Sequence, residues 1–436
     1  MTQALLAPGP QQRHDLDADD ESLSLLLHSL AQYGDTFRVP SLTRPGDALV
    51  INDPDDIRRV LLTHRGNYVK GAGLERVRML VGNGLIVSEG AAWARQRRLM
   101  QPMFQGSANR AFAPMIEAIH AALVERWAVH AGAGEAIDLT QELSAVALEI
   151  VLRSLLSVDV DRLLLADGTS PFDLLAQESQ RDLRFAARFR ALGGVVRGIV
   201  EARRHEGRSE PDWLSMLMHA RDKASDAPMP ERSLVDEAMT LIIAGHETTA
   251  STLNWTWYLL SQHPGIQREL HASVAGTSPL PTAADCVPGE PAAGSYVEQV
   301  LQEALRLYPP VWLFSRRAID DDTLGGHHVP AGTDIFISPY LLHRNAAHWD
   351  RPEAFMPERF APGAAAGRHR FASLPFSAGP RFCIGSGFAM AEMAMHVAMM
   401  ARRFEVRYAG TVPAQPEFRI NLRTRQPVRM RLIARP

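Results

Sequence analysis

Two cysteines occur among 436 residues, and the setting of one of them, Cys383, favours chemistry. It lies in FSAGPRFCIGSGFAMAE, from Phe376 to Glu392, between a Gly/Pro-rich loop and the apolar start of a helix. A sulfur at a helix start faces unpaired backbone N–H groups and the positive end of the helix dipole, which favour thiolate over thiol. The same N–H groups tune a metal bound to that sulfur. Gly379 and Gly385 permit a tight turn and a close approach of the backbone to a flat ligand. Phe376 can shield the sulfur from water, and Arg381 can pair with a carboxylate on the ligand's edge. An isolated cysteine at a helix start is more often a small buried hydrophobe, so the neighbours carry the reading.

A second group lies in one long helical stretch, as Ala244-Gly245-His246-Glu247-Thr248-Thr249. Gly245 leaves room beside a reacting centre. Thr248 offers a hydroxyl that can hydrogen-bond an oxygen, and Glu247 can relay protons toward it. The plainer alternative is a Thr-rich helix whose hydroxyls bond back to the preceding turn. Glu303 and Arg306, three apart, share a helix face and can pair, though such pairs are commonly solvated and weak. Another arginine, Arg359, lies further on in MPERF. Trp93-Ala94-Arg95-Gln96-Arg97 places an aromatic ring and a cation one turn apart.

The cysteine loop fits F-x-x-G-x-R-x-C-x-G without departure, and with the other motifs in this order the chain resembles the cytochromes P450. The resemblance runs from about Tyr33 to Phe404, with a texture closer to the microsomal branch than to the camphor-type bacterial one. It implies a mainly α fold with a smaller β portion, in which a haem lies between the long central helix and the cysteine-loop helix. It further implies haem b with the Cys383 thiolate as axial ligand, lined by Phe376, Gly379, Arg381 and Gly385. Trp93, Arg97 and Arg316 would reach the propionates, with Arg317 an alternative register and His343 a further candidate. Ala244, Gly245, Glu247 and Thr248 would serve O2 activation, and Glu303, Arg306 and Arg359 would be structural.

The elements needed to hold these groups are readable. Residues 1–21 are acidic and contain proline, which predicts a flexible N-terminal segment before a single haem domain over 22–436. SLSLLLHSLAQYG reads as an amphipathic helix ending at Gly34, followed by two strands, TFRVP and ALVIND. Ser233 with Asp236 resembles a capping box opening a helix that Pro264 closes. Another helix is expected over 384–403, and RINLRTRQPVRMRLI alternates like paired strands. Residues 276–294 read as a surface loop, and Cys286 within it receives no role.

Composition narrows the class. A net charge of -3 and a pI near 6.6 give no reason to expect nucleic acid or an anionic membrane as partner. No run approaches the roughly 18 apolar residues of a membrane span, no secretory signal opens the chain, and two cysteines exclude a disulfide framework. A cytoplasmic enzyme is expected.

The resemblance implies a monooxygenase that hydroxylates or epoxidises a hydrophobic small molecule of fatty acyl, terpenoid or polyketide kind, as in secondary metabolism. Its pocket would draw on Gly71–Val87, Phe172–Val196, Leu241, Ala244 and Val311–Phe314, and arginines 181, 184, 188 and 190 could greet a carboxylate. Electrons are expected from a separate ferredoxin or flavodoxin, docked on Arg95, Arg98, Arg368, Arg370, Arg402 and Arg403. Two other readings stay open: a same-fold enzyme that uses or rearranges peroxide, and a haem-binding sensor or carrier.

Overall fold

The structure is a computed structural model that describes residues 6–164, 170–177, 183–223, 225–276 and 295–435. The stretch 277–294, with Cys286, lies outside the described residues, as does Arg181. The principal helices are α1 (Asp20–Tyr33), α2 (Gly90–Met100), α3 (Ala113–Ala133), α4 (Leu139–Leu156), α5 (Leu183–Glu206), α6 (Glu231–Gln262), α7 (Tyr296–Leu307) and α8 (Ser386–Arg403). The chain divides into two compact units. One unit takes residues 1–75, 299–383 and 414–425, and the other takes 76–298, 384–413 and 426–436.

The first unit is built on a five-stranded sheet. Its order is Thr36–Pro40, Asp47–Ile51, Asp334–Ile337, Phe314–Ala318, Tyr68–Lys70. The first two strands, both read from the sequence, form an antiparallel hairpin, and Asp47–Ile51 pairs in parallel with Asp334–Ile337. Arg44 reaches Asp334, 290 residues on, at 3.2 Å. Apolar residues from both ends of the chain close the core here, among them Ile51, Ile57, Leu324 and Ile337.

Over its described part the N-terminal segment packs on the sheet of the first unit. Arg38 N–H donates to the Pro8 carbonyl at 2.8 Å and His14 N–H to the Pro40 carbonyl at 2.7 Å, so residues 8–14 run beside the edge strand. Ala7 and Leu16 are buried, and Asp19 caps α1 by accepting from Ser22 N–H at 2.8 Å. The edge strand offered unpaired backbone groups, and the segment covers them.

The second unit is helical, with α6 packed along α4 and α8 packed against α3. A three-stranded sheet, Ala136–Asp138, Arg429–Ala434 and Phe404–Tyr408 in spatial order, closes it. The C-terminal strands are therefore present, but they do not pair with each other: Leu422–Thr424 pairs with Pro416–Phe418. No described helix is long and apolar enough to cross a membrane.

Ser233 and Asp236 do not form a capping box. The helix α6 begins at Glu231 with Pro230 as its cap residue, and the Asp236 carboxylate accepts from Asn83 N–H instead.

Candidate active site

In the first unit, the loop leading to Cys383 is set by its own backbone. Phe382 N–H donates to the Gly379 carbonyl and Cys383 N–H to the Phe376 carbonyl, both at 3.0 Å. Gly379 has φ +70°, and a Cβ there would lie 2.1 Å from the Leu61 carbonyl oxygen, so glycine is required. The rings of Phe376 and Phe382 meet edge-on at 6.3 Å. Cys383 itself is exposed and in no disulfide, and Arg381 is half-buried.

The cluster expected around Glu303 is assembled. Arg306 donates to Glu303 through Nε at 2.7 Å and Nη2 at 2.8 Å, and Arg359 Nε adds a bond at 3.2 Å. Glu303 also accepts from Met356 N–H at 2.8 Å. Arg306 turns its remaining donors on the carbonyls of His343, Pro352 and Ala354. Trp349 is flanked by two guanidinium groups, Arg306 at 5.0 Å and Arg368 at 4.2 Å.

His343 belongs to this cluster, with its carbonyl accepting from Arg306. It is fully buried; Nδ1 lies 3.1 Å from the Arg306 carbonyl, and Nε2 accepts from Leu374 N–H at 2.7 Å. That second bond fixes the proton on Nδ1, and both ring nitrogens are used. Burial pushes its pKa down to about 3, so the ring is neutral.

Strand alternation separates Arg316 from Arg317. Arg317 is held by Asp334 through two bonds at 3.0 and 2.9 Å. Arg316 is nearly buried, donates to the Ser315 carbonyl at 2.8 Å and stacks over Phe314 at 5.3 Å.

In the second unit, α6 is buried over Glu237–Ile242 and again over Ser251–Leu260. Between these runs Ala244, Gly245, Glu247 and Thr248 are half-exposed, which opens one face in mid-helix. Thr248 donates its hydroxyl to the Ala244 carbonyl at 2.7 Å, as do Thr240, Thr252 and Thr256 to their own preceding turns. The plainer alternative therefore describes where the hydroxyl hydrogen points, while the oxygen's lone pairs remain on the half-open face. His246, inside the motif, is buried and pairs with Ser144 at 2.8 Å.

The two glycines of the site differ. A Cβ on Gly245 would lie 2.9 Å from Val151 Cγ2, so its absence lets α4 approach α6, a reason the sequence did not disclose. Gly385 has φ −89°, and a Cβ there would meet nothing closer than the Phe104 ring at 3.8 Å. Neither its backbone nor its neighbours demand glycine; a flat group laid against that backbone would. An exposed soft sulfur two residues earlier in the chain is the donor such an iron-bearing group needs, and the residues fit a haem.

Trp93 and Arg97 are half-exposed on α2, with Gln96 buried between them. Their neighbours Arg95 and Arg98 share the buried carboxylate of Asp222, at 3.1 and 3.3 Å. Of the arginines assigned to a donor-docking face, Arg98, Arg370 and Arg403 are exposed, whereas Arg368 lies between Trp349 and Phe360. The available positive charge is smaller than the sequence suggested. Arg184, Arg188 and Arg190 are exposed on α5, while Phe185, Phe189 and Leu192 are buried, as in an ordinary amphipathic helix.

The family model described as cytochrome P450 matches residues 15–169 and 170–431. The chain belongs to the cytochrome P450 family. Cyclooctatin synthase of Streptomyces melanosporofaciens is 33% identical, over 98% of this chain and 94% of its own. Cyclooctat-9-en-7-ol 5-monooxygenase of the same organism is 32% identical, over 87% of this chain and 84% of its own. Pentalenene oxygenase of Streptomyces avermitilis is 30% identical, over 94% and 92%. The fold is that of a cytochrome P450DA heme domain, with a TM-score of 0.85 at 21% identity, covering 99% of this chain and 98% of that one. This P450 is a monooxygenase that acts on a hydrophobic small molecule; membership implies a haem-thiolate centre, O2 as oxidant and a redox partner.

Proposed function

We propose that Cys383 is the axial thiolate of haem b and that this P450 oxygenates a terpenoid. The observation that carries the reading is the loop itself: an exposed cysteine whose backbone N–H is fixed on the Phe376 carbonyl, two residues before a glycine whose surroundings leave room for a flat ligand. The likeness to cyclooctat-9-en-7-ol 5-monooxygenase and pentalenene oxygenase supports the substrate class.

The haem supplies O2 binding and oxidising power, with the thiolate setting its electronics. The chain's residues do the rest. Phe376 excludes water from the sulfur side, and Gly379 and Gly385 let the backbone lie close to the ring. Arg381, Arg316, Arg97 and Trp93 hold the propionates; Arg317, already paired with Asp334, does not. Thr248 presents lone pairs, and after rotation a donor hydrogen, on the half-open face of α6, and Glu247 beside it moves protons in from solvent. Ala244 keeps that face free of bulk. Glu303, Arg306, Arg359 and His343 anchor the segments that lead to the cysteine loop. Electrons arrive from a separate ferredoxin or flavodoxin, with exposed Arg98, Arg370 and Arg403 available to its acidic surface.

The deciding measurement is the reduced carbon-monoxide difference spectrum of the purified protein and of C383S. A strongly red-shifted Soret band, absent in C383S, is expected. A histidine-type band in the wild type removes Cys383 from the iron. In the same preparation T248A should uncouple electron use from product and release peroxide; intact coupling removes Thr248 from the reaction, and turnover with peroxide alone would favour a peroxide-using enzyme.

A further inference from the structure

The turn Gly82-Asn83-Gly84-Leu85 is tied to two helices at once. Asn83 N–H donates to Asp236 Oδ2 and Leu85 N–H to Glu237 Oε2, each at 2.9 Å, so consecutive carboxylates of α6 grip alternate amides of the turn. The Asn83 carbonyl accepts from Gln96 Nε2 at 2.9 Å, and Gln96 lies on α2 between Trp93 and Arg97. A fourth tie runs from Arg78 Nη2 to the Val87 carbonyl at 3.0 Å.

The approach is close enough to dictate residue type. Gly82 has φ +67°, and a Cβ there would lie 2.2 Å from Asp236 Oδ1. A Cβ on Gly84 would lie 1.9 Å from the hydroxyl of Thr240, which is itself fixed to the Asp236 carbonyl. Glu237, Gln96 and Thr240 are all buried. Desolvating a carboxylate is costly, and the use of buried Glu237 on the Leu85 amide, next to Asp236 on that of Asn83, means that the loop's place is being specified. Glu237 stands seven residues before Ala244, hence on the same face of α6 two turns earlier.

The geometry points to Asp236 and Glu237 as positioning residues for substrate selection. They brace the turn between α6 and α2, so that the apolar stretch Leu85–Val87 keeps a fixed place relative to the helix that carries Ala244 and Thr248. This rests on the reading that the half-open face of α6 receives the substrate. Freed from the brace, the loop gives way, and discrimination by ligand size falls.

The probes are 1-alkylimidazoles from methyl to dodecyl, titrated against the holoenzyme by their Soret shift, with thermal melting run in parallel. In E237A the ratio of Kd values for the shortest and longest ligand should change about tenfold, or about 1.4 kcal/mol. E237Q, which keeps an acceptor oxygen for Leu85 N–H, should stay near the wild type. If E237A does not fold, G84A carries the test, since it leaves both carboxylates in place yet cannot seat the turn; it should shift the ratio as E237A would. A lowered melting temperature with an unchanged ratio, in either variant, overturns the proposal and leaves the brace purely structural. A wild type without the red-shifted carbon-monoxide band instead sinks the haem-thiolate reading, and this inference with it.

Discussion

Removing Glu303 should be among the most damaging single changes in the chain. Its carboxylate is wholly buried and takes two bonds from Arg306, one from Arg359 and one from Met356 N–H. In E303A the Arg306 guanidinium keeps its three backbone carbonyls but loses its counter-charge in a site that water does not reach. Breaking a buried pair on one side typically costs about 3–5 kcal/mol, against about 0.2–1 kcal/mol for an exposed pair. The exposed Arg153–Asp161 pair, with side chains 30% and 55% accessible, supplies the internal control. Urea unfolding of the holoenzyme, followed by tryptophan fluorescence and by circular dichroism, measures both; coincident transitions are needed before midpoints become free energies. The double variant E303L/R306M should lose less than the sum of its parts, by about 2 kcal/mol or more, because the more deeply buried of the two stranded guanidinium groups is gone. A cost for E303A no larger than for D161A would refute the argument that burial, rather than proximity, gives this cluster its weight.

Two further outcomes follow from the same reasoning. Burial pushes the His120 pKa down to about 4, so between pH 6.5 and 4 the unfolded chain binds the proton that the folded chain does not. Stability should therefore fall with pH across that window by up to about 1.4 kcal/mol per unit from this residue. H120L should have the shallower acid limb in urea midpoints taken at stepped pH, and parallel limbs would disprove it. Glu392, whose pKa burial raises, works in the opposite sense, so the reading is the difference between wild type and variant. G245A should cost about 1–3 kcal/mol through its clash with Val151, and V151A should recover much of this; if the double variant is no better, the close helix approach is not what glycine serves there.

The sequence disclosed what is local in the chain and missed what distance hides. The cysteine turn and the Glu303–Arg306 pair are short-range and could be read directly, and Arg359 joined them through the family motif. Arg316 and Arg317 could not be ordered from the motif, yet once the strand is seen, alternation and Asp334 order them. The true partner of Asp236 is 153 residues away, and that of Arg95 is 127 away, so local rules assigned the first to a helix cap and the second to an open surface. The partners of His343, the Arg306 carbonyl and the Leu374 amide, were out of reach for the same reason, since they are neighbours only in the folded chain.

The parallel pairing of Asp47–Ile51 with Asp334–Ile337 also sets a clock. Arg44 and Asp334 are separated by 290 residues, and ribosomes add roughly 5–20 residues per second. The N-terminal hairpin thus waits on the order of 15–60 s with one edge unsatisfied before its neighbouring strand is made. Throughout that interval it is open to mispairing with other nascent chains, so the yield of folded protein should depend on translation speed and holdase chaperones more than on the stability of the finished enzyme.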